Sequence, residues 1–225
     1  MNASSPSPFE KARLYGILDL SYVAHSDAED MAGRMLRGGV EVLQLRAKSH
    51  EPSSLVALAK SLVRQCRDAG VPMIVNDHPA LARDCDADGV HIGQEDGCVA
   101  DARILLGAGR FVGKSTHSFE QAVAAAAEHP DYLGYGPLFA TPTKPDYRPV
   151  GLAGIRRVMA ALTLPVFCIG GIKLENLPVA LAAGARRVVI VSGILQAADV
   201  VAYCRSVRSR LREWEDAGAE EEDAS

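Results

Sequence analysis

Eight short apolar segments, spaced along the chain with helical or turn-forming stretches between them, constrain this sequence more than any other feature. They fall at residues 15–20, 40–46, 72–76, 89–93, 111–114, 132–136, 165–169 and 187–191. Each is hydrophobic on both faces and is followed by glycine or polar residues, as parallel strands covered by helices should be. Between them, periodicity predicts helices over residues 27–37, 52–68, 118–128, 152–161, 174–183 and 197–212. Asp27 is expected to cap the first, and Ser118-Phe119-Glu120-Gln121 opens another with a capping box. Gly38, Gly70 and Gly184 stand where a left-handed helix end favours glycine. Eight strands alternating with helices predict an α/β chain folded as a closed (β/α)8 TIM barrel. The alternative is an open, doubly wound sheet. Its glycine-rich dinucleotide fingerprint is missing after the first strand, where Leu18-Asp19-Leu20-Ser21 stands instead.

A chain of 225 residues suits one such domain. Residues 11–212 are assigned to the barrel, residues 1–10, rich in serine and proline, to a mobile tail, and residues 213–225 to an acidic, solvated tail. The 24 lysines and arginines against 28 acidic residues give a net charge of −4, so no basic field points to nucleic acid. Phosphate binding needs only a few cations converging on one pocket. No apolar stretch approaches the length of a membrane span, and the start of the chain lacks the pattern of a secretory signal. Cys66, Cys85, Cys98, Cys168 and Cys204 form no CxxC pair, which suits reduced thiols and predicts a cytoplasmic protein.

Barrels of this kind carry their chemistry at the carboxyl ends of the strands. On the second strand, alternation puts Gln44, Arg46 and Lys48 on one face, a grouping suited to gripping phosphate. The alternative there is an ordinary polar strand end with a salt bridge. Asp77 closes the third strand and Asp96 follows the fourth; neighbouring strands would bring these carboxylates together, as Mg2+ requires. Singly, each suits a plainer role: Asp77 as a cap before Pro79, and Asp96 in a turn before Gly97. Gly170-Gly171 and Ser192-Gly193 follow strands seven and eight, the usual phosphate position of such barrels, or serve tight turns only. Thr141-Pro142-Thr143-Lys144 forms a loop suited to closing over substrate. After the fifth strand, Ser115 is placed to hydrogen-bond a substrate amine, and His117 to cap the following helix.

Taken in order, six stretches resemble the thiamine phosphate synthase family. They are Val42-Leu43-Gln44-Leu45-Arg46-Ala47-Lys48, Val75-Asn76-Asp77, Ala87-Asp88-Gly89-Val90-His91-Ile92-Gly93-Gln94-Glu95-Asp96, Gly113-Lys114-Ser115-Thr116-His117, Gly136-Pro137-Leu138-Phe139-Ala140-Thr141-Pro142-Thr143-Lys144, and Cys168-Ile169-Gly170-Gly171-Ile172. The resemblance spans Leu14 to about Arg212. It implies that Gln44, Arg46, Lys48, Asn76, Ser115 and Lys144 hold 4-amino-2-methyl-5-pyrimidinylmethyl diphosphate. Asp77 and Asp96 would ligate Mg2+, and Thr141, Thr143, Gly171, Val191 and Ser192 would hold a thiazole phosphate. The implied chemistry is a dissociative displacement in which Arg46, Lys48, Lys144 and Ser115 act on the reacting groups. Cys168, the Arg186-Arg187 pair and Lys114 depart from the usual family pattern.

Three other readings compete. A thiazole tautomerase, a related barrel using a histidine near His117, has no need of a diphosphate clamp. A non-catalytic paralogue would bind both compounds and release nothing. A sugar-phosphate epimerase needs paired acid–base groups on opposite faces of a sugar, which cannot be placed here. A homodimer is admitted, and nothing in the sequence decides it.

Overall fold

The computed structural model describes residues 7–141 and 149–223, with side chains as far as Gly218. Its strands are β1 Leu14–Asp19, β2 Val42–Arg46, β3 Met73–Asn76, β4 Gly89–Ile92, β5 Phe111–Thr116, β6 Tyr132–Tyr135, β7 Val166–Cys168 and β8 Val188–Ile190. They close in chain order into a barrel, with every neighbouring pair parallel and β8 returning to β1. This is the (β/α)8 barrel that the alternation predicts, and each strand lies within two residues of its expected ends.

The described helices are α1 Pro8–Lys11, α2 Ala28–Gly38, α3 Val56–Asp68, α4 Pro79–Asp84, α5 Val99–Leu106, α6 Phe119–Ala126, α7 Ile155–Ala161, α8 Leu177–Ala182, α9 Ser192–Leu195 and α10 Val200–Asp223. Sequence periodicity does not reveal α4 and α5. The first is six residues long, and in the second Ile104 and Leu105 face solvent, which blurs the apolar stripe.

Strand alternation divides the core in two. Tyr15, Ile17, Val42, Ile74, Tyr132, Phe167 and Val189 fill the barrel interior. Leu14, Leu18, Leu43, Leu45, Met73 and Val75 pack outward beneath the helices. Gly113 makes room for Tyr132: a Cβ there would lie 2.2 Å from the phenol ring. Lys114, the next residue, points outward and is buried against Glu128 at 2.6 Å, so its charge stays clear of the barrel interior.

Both chain ends differ from expectation. Phe9, placed by sequence in a mobile tail, is fully buried at the amino end of the barrel. Its ring stacks on Tyr132 at 4.3 Å and meets Phe111 edge-on at 5.0 Å. Arg187 holds this segment by donating to the carbonyls of Phe9 (3.2 Å) and Glu10 (2.7 Å), which accounts for an arginine before β8. Burial of one aromatic ring outweighs the local serine and proline bias. At the other end, α10 continues through the residues read as an acidic tail, where alanine and glutamate favour helix. Glu215 on that extension pairs with Arg13.

Two capping expectations also change. Asp27 occupies the cap position of α2 without a side-chain cap bond. The left-handed residue ending α2 is Gly39, φ 91°, not Gly38. Gly38 packs instead against α10, where a Cβ would lie 2.5 Å from that of Cys204. Gly70 and Gly184 are left-handed as expected. No helix among the described residues is long and apolar enough to cross a membrane.

Candidate active site

The rim begins where β1 and β2 run side by side. Their register pairs Asp19 with Arg46, so both side chains leave the barrel at the same level. Arg46 Nη1 lies 2.5 Å from Asp19 Oδ2, and Asp19 is only 1% exposed. Its other oxygen accepts from the Ser21 backbone N–H (2.9 Å) and hydroxyl (2.8 Å). The Arg46 guanidinium is therefore held on a fixed carboxylate.

Next along the rim stand Lys48, Asp77 and Asp96. Lys48 Nζ lies 3.1 Å from Asp77 Oδ2. Asp77 has a left-handed backbone, φ 62°, uncommon outside glycine, while its N–H donates to His91 O at 2.9 Å. The cap position of α4 is His78, with no side-chain cap bond, so Asp77 does not cap this helix. Its carboxyl comes within hydrogen-bonding reach of Asp96 instead. Asp96 accepts from the Gly93 N–H at 2.7 Å and so also closes its own loop. Burial raises the Asp96 pKa from its ordinary value and the Asp77 carboxyl adds to it, against the Gly93 N–H and the Lys48 charge. Like charges brought this close favour the protonated form.

Among the described residues, two cations, Arg46 and Lys48, thus face three carboxylates, Asp19, Asp77 and Asp96. On its own this set would repel a diphosphate. No group of three or more His, Cys, Asp or Glu that could hold a metal is found among the described residues. A cation held by two carboxylates would take its remaining oxygen ligands from water or phosphate, the usual habit of Mg2+.

Beneath the rim, a pocket is lined by Gln44, Arg46, Asn76, Ser115, Thr141, Gly171, Val191 and Ser192 together. Lys48, Asp77 and Asp96 are not among its lining residues; Asp77 directly follows the lining residue Asn76. Thr143 and Lys144 lie outside the described residues. The floor is a chain of polar groups, buried at Gln44, Tyr15 and Tyr132 and half-buried at His91 and Ser115. Gln44 Nε2 donates to the Tyr15 hydroxyl at 2.8 Å, Tyr15 and Tyr132 hydroxyls are 3.0 Å apart, and Tyr132 meets His91 Nδ1 at 3.2 Å. His91 Nε2 then reaches Ser115 Oγ at 2.9 Å. Gln44 Oε1 is buried without a hydrogen-bond partner among the described residues.

On the far side, Gly170 (φ 96°) and Gly171 (φ 66°) turn in the left-handed region, where only glycine is unstrained. A Cβ on Gly171 would lie 2.7 Å from Ala140 O, so the turn also needs glycine for space. Asn176 donates to Gly171 O at 2.9 Å and accepts from the Lys173 N–H at 2.8 Å, fixing the loop. Val191 and Ser192 follow β8, with Ser192 opening α9. Cys168, one strand position below this turn, is fully buried, and burial pushes its thiol up to about 12. His117 does not cap α6: Ser118 does, accepting from the Gln121 N–H at 3.1 Å. His117 Nδ1 instead meets Gly136 O at 2.5 Å, and its ring lines the pocket.

Sequence reasoning missed Asp19, Tyr15, His91, Tyr132 and Asn176. Asp19 and His91 carried a readable signal, since both stand in quoted strand-end segments. The inward tyrosines read as ordinary core.

Residues 14–194 match the model of the thiamine monophosphate synthase family. The chain belongs to that family. A thiamine-phosphate synthase from Thermus thermophilus is 46% identical over 183 residues, 81% of this chain and 88% of its relative. One from Shouchella clausii is 37% identical over 202 residues, 89% of this chain and 97% of that one. Among solved structures, thiamine phosphate pyrophosphorylase from Pyrococcus furiosus superposes with a TM-score of 0.84 at 29% identity, covering 92% of this chain and 99% of that one.

Proposed function

We propose that this chain joins 4-amino-2-methyl-5-pyrimidinylmethyl diphosphate to a thiazole phosphate, giving thiamine phosphate and diphosphate with the help of Mg2+. The observation that carries this reading is the contact between Asp77 and Asp96 beside Lys48 and the Asp19-bound Arg46. Among the described residues carboxylates outnumber cations there, so a divalent cation fits the donor set and makes room for a diphosphate. Asp77 and Asp96 would hold Mg2+, which supplies positive charge to the diphosphate oxygens when bound.

The chain's own residues do the rest. The bond from the pyrimidinylmethyl carbon to the diphosphate oxygen breaks, and the electron pair leaves with the diphosphate. Arg46 and Lys48, at the rim, take up the negative charge that develops on it. Lys144 is assigned the same role by resemblance. The lone pair of the thiazole nitrogen then forms the new carbon–nitrogen bond. Gln44, Asn76 and Ser115 orient the pyrimidine inside the barrel, while Thr141, Thr143, Gly171, Val191 and Ser192 place the thiazole phosphate opposite. No side-chain nucleophile is required; positioning and charge stabilisation carry the reaction. A thiazole tautomerase would leave this charged rim unused.

The test is to incubate the protein with both substrates, with and without Mg2+, and assay thiamine phosphate. Formation that depends on Mg2+ is expected. Binding of both compounds with no diphosphate released would replace the enzyme with a sensor.

A further inference from the structure

The barrel floor links opposite walls of the pocket through one continuous hydrogen-bonded chain, Gln44–Tyr15–Tyr132–His91–Ser115. Every link constrains the next. A phenol has one proton, and a neutral imidazole has one donor and one acceptor nitrogen. Gln44 Nε2 donates to Tyr15; with each phenol proton used inside the chain, Tyr15 donates to Tyr132 and Tyr132 to His91 Nδ1. His91 must then carry its proton on Nε2 and donate it to Ser115 Oγ. The Ser115 proton is left to point away from His91. At the other end, Gln44 Oε1 is a buried acceptor with no partner among the described residues. Burial holds both phenols well above their usual pKa, so each keeps its proton.

We propose that this chain couples the two ends of the pocket, so that Gln44 presents an acceptor while Ser115 presents a donor, with His91 and Tyr132 as positioning residues. A 4-aminopyrimidine matches that polarity: its exocyclic amine donates to Gln44 Oε1, and a ring nitrogen accepts from Ser115. A 4-oxopyrimidine, with a carbonyl and a ring N–H, presents the opposite pattern. It binds only if the Gln44 amide turns over and all four bonds reverse together. The inference rests on the pyrimidine reading above and deepens it: the floor selects amino over oxo rings. It also revises the role expected of Ser115, which donates to the ring and leaves the amine to Gln44.

Two measurements decide it. In protein carrying 15N-labelled histidine, His91 is expected as the Nε2–H tautomer; the Nδ1–H tautomer would overturn the relay whatever the protein binds. The second compares affinity for the 4-aminopyrimidinylmethyl diphosphate and its 4-oxo counterpart, in the wild type and in Tyr132→Phe. The variant keeps the ring that stacks on Phe9 and removes only the linking hydroxyl. The wild type is expected to favour the amino compound at least about 100-fold, because a site built to hydrogen-bond one pattern leaves buried groups unpaired with the other. Tyr132→Phe frees Ser115 to donate or accept, and the ratio is expected to fall at least about tenfold, reversing that penalty. An unchanged ratio in a variant that melts with the wild type overturns the coupling. A wild type that binds neither probe overturns the substrate reading, and the tautomer measurement still judges the relay.

Discussion

Arg46 does not stand free at the rim: its guanidinium rests 2.5 Å from Asp19, a carboxylate buried to 1% exposure and fixed by Ser21. Asp19 therefore sets the direction in which Arg46 meets an incoming diphosphate, and it also adds negative charge to the site. These roles separate in kinetics. Asp19→Asn is expected to lower kcat about tenfold or more, as a loosened guanidinium is less well placed for the charge of the transition state. KM for the diphosphate substrate is expected not to rise, since a repelling charge is gone. Steady-state kinetics check this, and a raised KM with unchanged kcat counts against the role.

The contact between Asp77 and Asp96 makes a second prediction. Two carboxylates held together, one of them with its pKa raised, gain most from a shared cation. Asp77→Asn and Asp96→Asn are each expected to lower turnover about 100-fold, the scale of removing one electrostatic stabiliser. The Mg2+ concentration giving half-maximal rate is expected to rise in both, and chelation with EDTA to abolish wild-type activity. A titration of rate against Mg2+ decides. Near-normal turnover with unaltered Mg2+ dependence in either variant would remove that aspartate from the site.

Much of this was legible in the chain because a parallel barrel writes itself in two simple codes, apolar strand cores and polar strand ends. Gln44, Arg46, Asn76 and Ser115 lie in the carboxyl-terminal halves of strands, Asp77 directly follows β3 and Asp96 stands four residues past β4, so strand order alone points them to one rim. What stayed hidden depends on partners far apart in sequence. Asp19 matters because Arg46, 27 residues on, is its register neighbour. Tyr15 and Tyr132, 117 residues apart, look like core until their hydroxyls are seen to meet. Phe9 looked like tail because local composition says nothing about an opening at the far end of a barrel.

Lys114 and Glu128 supply a test of stability against pH. Burial alone pushes the Glu128 carboxyl up, but the Lys114 hydrogen bond, the Val99 N–H and the Lys114 charge outweigh it and hold the pKa below its usual 4.5. A group whose pKa is lower in the folded state stabilises the fold above its unfolded pKa, and loses that effect as pH falls through the folded value. Glu128→Gln is expected to lower the neutral-pH melting temperature by about 2–4 °C, roughly 1 kcal/mol for a chain of this size. The gap to the wild type should close as pH drops below the usual glutamate range. A gap independent of pH would assign the loss to packing.

Phe9 offers the sharpest check on the amino-terminal end. It is fully buried, touches Phe111, Tyr132 and Phe167, and is tied by its carbonyl to Arg187. Truncating a fully buried phenylalanine costs about 3–5 kcal/mol, because the cavity left behind collapses only in part. For a chain of this size that is a fall in melting temperature of roughly 6–20 °C. Phe9→Ala is expected to show it, and Phe9→Leu, which refills most of the space, less than half of it. Arg187→Ala, which loosens the tether and leaves the ring, should fall between the wild type and Phe9→Ala. Thermal melts of the three variants check the ordering. A Phe9→Ala protein that melts with the wild type would mean that the barrel closes its own amino end without this ring, and that the stack on Tyr132 contributes nothing to the fold.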